Sequence, residues 1–187
     1  AEKEVKPLAI EVDETEIFPR ETVTKMAKYG FLGIPVAKEY GGQGADPLAY
    51  VMCVEELSKV CATTGVIVSA HTSLCADPIA MYGTPEHKEK YLVPLAKGEK
   101  LGAFALTEPN AGTDAQGAVT KAVLDGDEYV LNGSKIFITN GKEADIYVVI
   151  ACTEIKVDAK GRQKKIFSAF IVEKDTPGFG FGTKEKK

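Results

Sequence analysis

Tryptophan is missing from this sequence and histidine occurs only twice, so no histidine-rich metal centre is available. Cysteine is scarce as well: Cys53, Cys61, Cys75 and Cys152 include neither a Cys-x-x-Cys pair nor a metal-ligand spacing. With no recognisable signal peptide, they read as reduced, mostly buried thiols in a reducing compartment. No apolar run approaches the roughly 20 residues of a membrane-spanning helix, which argues against a bilayer partner. Basic surplus is lacking too, and a net charge of −4 offers no surface for a phosphate backbone, so nucleic acid is not an expected partner. What remains is 44% hydrophobic and 27% charged residues over 187 positions, the composition of a folded globular chain with one or two cored domains.

The most informative segment is Leu106-Thr107-Glu108-Pro109-Asn110-Ala111-Gly112-Thr113-Asp114. Apolar residues from Leu101 to Leu106 predict a strand, Pro109 ends its ladder, and Gly112 permits backbone conformations that turn successive N–H groups toward one ligand. Thr107 and Thr113 add hydroxyls that donate or accept. A planar, hydrogen-bonding cofactor needs such a loop.

A second segment, Leu131 to Gly141, carries two Asn-Gly turn signals around a predicted strand from Ser134 to Thr139. Alternation places Ile136 and Ile138 on one face and Lys135, Phe137 and Thr139 on the other, setting an aromatic ring beside a hydroxyl. Taken alone, the more ordinary reading of this strand is a half-buried hairpin strand with its aromatic in the core.

Helical patterns dominate before a division near Gly98 to Leu101. Glu2 to Glu14 carries Val5, Leu8, Ala9 and Val12 at helical spacing, and Glu21 to Tyr29 carries Val23, Met26 and Ala27. Further helices are expected from Pro47 to Val60, from Thr64 to Met81 and from Pro85 to Ala96, the fourth buried at the centre and the fifth capped by Thr84 with Pro85 in its first turn. After Leu101 come short alternating runs at Leu101 to Leu106, Ala118 to Leu124, Glu128 to Leu131, Ser134 to Thr139, Ile146 to Thr153 and Ile166 to Val172. The expected fold class is α+β: an all-helical domain over 1–99, then an antiparallel β-barrel or sheet domain over 100–187.

His71 and Cys75 stand four apart on the fourth helix, but two ligands do not make a metal site and a helical His is usually satisfied by a neighbour. Lys156, Lys160, Arg162, Lys164 and Lys165 form a basic run that reads as a solvated hairpin loop, with Asp158 and Gly161 favouring a turn.

The two loop segments resemble the signatures of the acyl-CoA dehydrogenase family. Ala105-Leu106-Thr107-Glu108-Pro109-Asn110-Ala111-Gly112-Thr113-Asp114, with Gly117 following, fits the first, and Asn132-Gly133-Ser134-Lys135-Ile136-Phe137-Ile138-Thr139-Asn140 fits its companion. Weaker matches follow family order at Tyr40-Gly41-Gly42-Gln43-Gly44, Ser69-Ala70-His71-Thr72-Ser73-Leu74 and Gly83-Thr84-Pro85-Glu86-His87-Lys88. Ser73 to Ile79 and Asn110 look similar to bacterial short-chain, butyryl-type members.

The resemblance implies FAD-dependent α,β-desaturation of a short-chain acyl-CoA, with electrons passed to electron-transferring flavoprotein, in a homotetramer of the bacterial cytoplasm or mitochondrial matrix. By match to the motifs, Phe104, Ala105, Leu106, Thr107, Gly112 and Thr113 would wrap the isoalloxazine, while Phe137, Ile138 and Thr139 would close its other side. Thr113 would also meet the CoA portion of the substrate, and the Ser69 to Ile79 helix would help line the acyl cavity. The family's commoner residue at Phe137 is Trp, so stacking is kept and an indole N–H is lost. The family's catalytic carboxylate belongs to a C-terminal helical bundle beyond Lys187, so no catalytic residue is assigned and the sequence reads as an internal piece of a longer protein. Glu55, Glu56 and Glu108 are the carboxylates weighed as a base, and solvated or capping roles are expected for all three. Alternatives left open are an oxidase or an acyl-CoA reductase of the same fold, and a non-catalytic interaction module.

Overall fold

The computed structural model describes residues 1–157 and 159–185. Helices come first. A 3-10 turn over Lys6–Leu8 leads into α1 (Ala9–Thr15), followed by α2 (Arg20–Lys28), α3 (Pro47–Ser58) and α4 (Ala62–Ser69). α4 continues through a wider, π-type stretch over Ala70–Ala76 into α5 (Asp77–Tyr82). Next, α6 (Pro85–His87) and α7 (Val93–Ala96) flank a second π-type stretch, Lys88–Leu92. The predicted first helix is shorter than its pattern, because Pro7 sits in the 3-10 turn and lacks the N–H that a helix interior needs. Asp46 caps α3 by accepting from Ala49 N at 2.8 Å, and Thr84 caps α6 by accepting from His87 N at 3.2 Å.

The column from Ala62 to Tyr82 is the buried centre expected from its apolar sequence. Ile67, Val68, Cys75, Ala76 and Ile79 are buried along it, with His71 and Thr72. No helix among the described residues is long and apolar enough to cross a membrane.

Five strands follow: β1 (Gly102–Ala105), β2 (Lys121–Asp125), β3 (Glu128–Asn132), β4 (Ile146–Val157) and β5 (Gln163–Glu173). β4 is the spine, with β5 antiparallel along one edge. On the other edge β1 pairs with Ile146 to Val149 and β2 joins at Cys152, both parallel to β4. The sheet is therefore mixed, which corrects the antiparallel expectation. Antiparallel pairing joins β2 to β3 across a short turn and β4 to β5, whereas longer connections return β4 in the same sense as β1 and β2. Residues 106–120 leave β4's edge with β1 and come back to it three positions farther along as β2.

One core joins the two halves. Val23, Met26, Leu57, Ile67 and Val68 from the helices pack in one cluster with Ala103, Ala105, Tyr147 and Val149 from the sheet. Alternation along β1 sends Phe104 to a second cluster containing Cys75, Leu92 and Val148. All four cysteines are free thiols, and Cys61, Cys75 and Cys152 are buried.

The basic run does lie at the tip of the β4–β5 hairpin, where Gly161 adopts φ 76°. Asp158 lies outside the described residues. Lys165 departs from a solvated role: its ammonium donates to Gly117 O at 3.1 Å and Ala118 O at 2.8 Å.

Candidate functional site

The segment after β1 folds into a tight turn. Glu108 N donates to Ala111 O at 3.0 Å and Ala111 N returns to Glu108 O at 3.1 Å, with Pro109 and Asn110 exposed between them. Gly112 and Thr113 follow on the surface, while Thr107 is half-buried.

The companion segment lies against it. Ile136 N donates to Thr107 O at 2.9 Å, and Lys135 Nζ donates to Leu106 O at 3.0 Å and to Glu108 Oε1 at 2.7 Å. The two motifs, some 30 residues apart in sequence, form one locked unit.

The predicted Ser134 to Thr139 strand does not form. Phe137 and Asn140 take left-handed backbone, φ 56° and 64°, which breaks the two-residue alternation and with it the predicted shared face. Lys135 turns inward, while Phe137 is 67% exposed and Ile138 packs on the main core. Asn140 is buried and ties the segment down, its Nδ2 donating to Ile67 O at 3.2 Å and Gly102 O at 3.1 Å.

Glu108 corrects another expectation. Rather than being solvated or capping a helix, its side chain is 2% exposed, paired with Lys135 and accepting from Val119 N at 2.6 Å and Thr120 N at 3.0 Å ahead of β2. Burial alone would raise its pKa, but Lys135 and the two amides outweigh that cost and hold it down at about 2. Glu108 thereby bridges the gap between β1 and β2. Glu55 and Glu56 do sit on the solvent side of α3, paired with Lys59.

His71 is satisfied by neighbours. Its Nδ1 accepts from Gly102 N at 2.9 Å, so the proton resides on Nε2, which donates to Leu95 O at 3.2 Å. Burial lowers its pKa to about 4, against the opposing pull of the Leu95 and Leu32 carbonyls. Cys75 is buried beside it, and burial pushes its pKa up to about 12. No cluster of three potential metal ligands occurs among the described residues.

The two motifs lie together within a helical region and a sheet region that both match known domains. Residues 1–99 match the N-terminal domain of acyl-CoA dehydrogenase and residues 103–187 match its middle domain. The chain belongs to the acyl-CoA dehydrogenase family. The short-chain-specific acyl-CoA dehydrogenase of Clostridium acetobutylicum is 62% identical over 187 residues, covering 100% of this chain and 48% of that protein. The structure of butyryl-CoA dehydrogenase from Megasphaera elsdenii is 48% identical with a TM-score of 0.90, covering 100% of this chain and 48% of the other. A structure described for the electron transferring flavoprotein of Acidaminococcus fermentans, in work on flavin-based electron bifurcation, contains a chain 54% identical with a TM-score of 0.90, at the same coverage. The chain thus spans about half the length of the relatives it matches. FAD binding is a property of the family, seen in the FAD complex of acyl-CoA dehydrogenase from Bacillus anthracis.

The residues present fit a flavin ring. The Thr107, Thr113 and Thr139 hydroxyls have no protein partner among the described residues, so three donors are left for a ligand. A Cβ added at Gly112, the neighbour of Thr113, would meet nothing within 4 Å, so the chain is open at that position. Gly112 is not in the left-handed region, so its value here is room and not the unusual backbone expected from the sequence. By contrast, a concavity of about 480 Å³ lined by Tyr29, Phe31, Met52 and Leu57 shares no residue with this unit.

The groups that hold the unit in place, Glu108, Lys135 and Asn140, were not recognised as such from the sequence. Their signal was present in part: an acid and a base occur one in each motif, but nothing local to either shows that they pair.

Proposed function

We propose that this chain supplies the flavin-facing half of a short-chain acyl-CoA dehydrogenase. The enzyme removes the α-proton and β-hydride of a short acyl-CoA thioester to give the trans-2-enoyl-CoA, and electron-transferring flavoprotein receives the electrons. The observation that carries this reading is the locked junction of 104–113 with 135–139, which joins the two motifs and leaves Phe137 exposed. A bulky residue in left-handed backbone costs on the order of 1–3 kcal/mol, and strain of that kind is typical of ligand clamps.

FAD, when bound, supplies the hydride acceptor. Phe104, Ala105, Leu106, Thr107 and Gly112 would hold the ring through backbone amides and the Thr107 hydroxyl, while Phe137 covers it and Ile138 and Thr139 close the other side. Donors fixed in advance stabilise electron density as it builds during the reaction. Thr113 would also contact the CoA portion of the thioester. None of the weighed carboxylates serves as base: Glu108 is engaged by its ion pair, and Glu55 and Glu56 face solvent. The base is assigned to the part of the enzyme that the relatives have beyond this chain's match. The assembly is a homotetramer, in the bacterial cytoplasm or the mitochondrial matrix.

The test is the full-length protein. It purifies yellow, and butyryl-CoA bleaches its flavin absorbance under anaerobic conditions. A colourless protein, or a flavin untouched by short acyl-CoA thioesters, would sink the reading. Oxygen consumption, or net reduction of an enoyl-CoA with an electron-donating partner, would instead assign it to the oxidase or reductase members of the fold.

A further inference from the structure

The Leu106–Thr107 peptide is gripped at one end and free at the other. Lys135 Nζ donates to Leu106 O at 3.0 Å, and the following carbonyl, Thr107 O, accepts from Ile136 N at 2.9 Å. The Lys135 side chain is 9% exposed and is held at 2.7 Å by Glu108, which two backbone amides fix in turn. Across the peptide bond from Leu106 O, the N–H of half-buried Thr107 has no backbone acceptor among the described residues.

A cation on a carbonyl draws electron density through the amide and makes the N–H of the same peptide a stronger donor. Charge-assisted bonds are about twice as strong as neutral ones, and neighbours in a hydrogen-bonded chain strengthen one another by about 10–30%. The Thr107 N–H is therefore a reinforced donor in the middle of the first motif.

We propose that Lys135 is a positioning residue that tunes the reduction potential of the flavin through the Leu106–Thr107 peptide, with Glu108 setting the strength of the effect. This rests on the flavin reading of the site. A reinforced donor favours the electron-rich reduced ring over the oxidised one, so Lys135 raises the potential. Glu108, by offsetting part of the ammonium's charge, restrains that rise. A pair that served only to staple two segments would behave differently, because losing either partner breaks the same bridge and both losses would act in one direction.

The experiment measures the midpoint potential and visible spectrum of the FAD-loaded full-length enzyme by equilibration with reference dyes. Lys135→Gln is expected to shift the reduction equilibrium about tenfold toward oxidised flavin, about 30 mV for a two-electron couple. Glu108→Gln is expected to shift it the opposite way, and Lys135→Arg to stay near the wild-type value because the charge is retained. Gln variants that move together, or do not move, overturn the proposal. Should Lys135→Gln fail to fold, Glu108→Gln against Lys135→Arg decides: a raised potential in the former with little change in the latter supports it, and any other pattern overturns it. A wild-type protein that holds no FAD overturns the flavin reading itself, whereas a flavoprotein with unmoved potentials overturns this inference alone.

Discussion

Gly112, within the first motif, and Gly133, just before Lys135, answer to different constraints. An alanine Cβ at Gly112 meets nothing within 4 Å, whereas at Gly133 it would lie 2.7 Å from Thr120 Cα, a backbone atom that cannot swing away. Gly133→Ala should therefore cost about 1–3 kcal/mol of stability, the usual penalty of overpacking. Gly112→Ala should change stability by less than about 0.5 kcal/mol, since its surroundings are open. On the flavin reading, the new methyl enters the open space next to Thr113, and FAD affinity of the full-length enzyme should fall several-fold. Thermal melting and flavin titration of the two variants separate these cases. Wild-type FAD affinity in Gly112→Ala would mean that the open space is not the ring's.

Elements are stabilised by local signals that a single substitution can remove. α3 starts at Asp46, whose carboxylate accepts from Ala49 N, with Pro47 in the first turn. Asp46→Ala leaves that N–H without its partner and should lower stability by about 1 kcal/mol, read as an earlier midpoint in urea unfolding. Such caps, together with the 3.6-residue pattern, are why the helices and the Asp125-Gly126 hairpin were legible in the sequence. The failures share a different cause. The widened turns at Ala70–Ala76 and Lys88–Leu92 and the parallel pairing of β1 and β2 with β4 follow from contacts between distant segments. The Ser134 to Thr139 strand was lost in the same way: Lys135 is drawn to Leu106 and Glu108, and Phe137 and Asn140 adopt left-handed backbone, so alternating residue types no longer mark alternating faces. The candidate site residues were legible as motifs, but the contacts that join the motifs were not.

At the scale of the molecule, two buried titrating groups connect what the chain separates. His71 ties the central helical column to α7 and β1, and Glu108 ties the loop after β1 to the entry of β2. Both are sensitive to acid, and in the same direction. His71 has its pKa lowered from 6.5 to about 4, so below pH 6.5 the unfolded chain takes up a proton that the folded one refuses. Its contribution is complete above pH 6.5 and declines as pH falls toward about 4, by up to about 3 kcal/mol. Glu108, lowered from 4.5 to about 2, contributes fully above pH 4.5 and loses that contribution as pH falls toward about 2. Stability should therefore fall in two overlapping stages, the first beginning at mildly acidic pH. Urea unfolding from pH 7 to pH 4.5 tests the first stage: His71→Gln should be less stable at pH 7 but should lose the slope between pH 6.5 and 4.5. The shared core of Ile67 and Val68 with Ala103, Ala105 and Tyr147 makes the loss common to both halves, so far-UV helix signal and tyrosine fluorescence should trace one transition. Two separated transitions, with only one sensitive to the His71 substitution, would show instead that the helices and the sheet unfold independently.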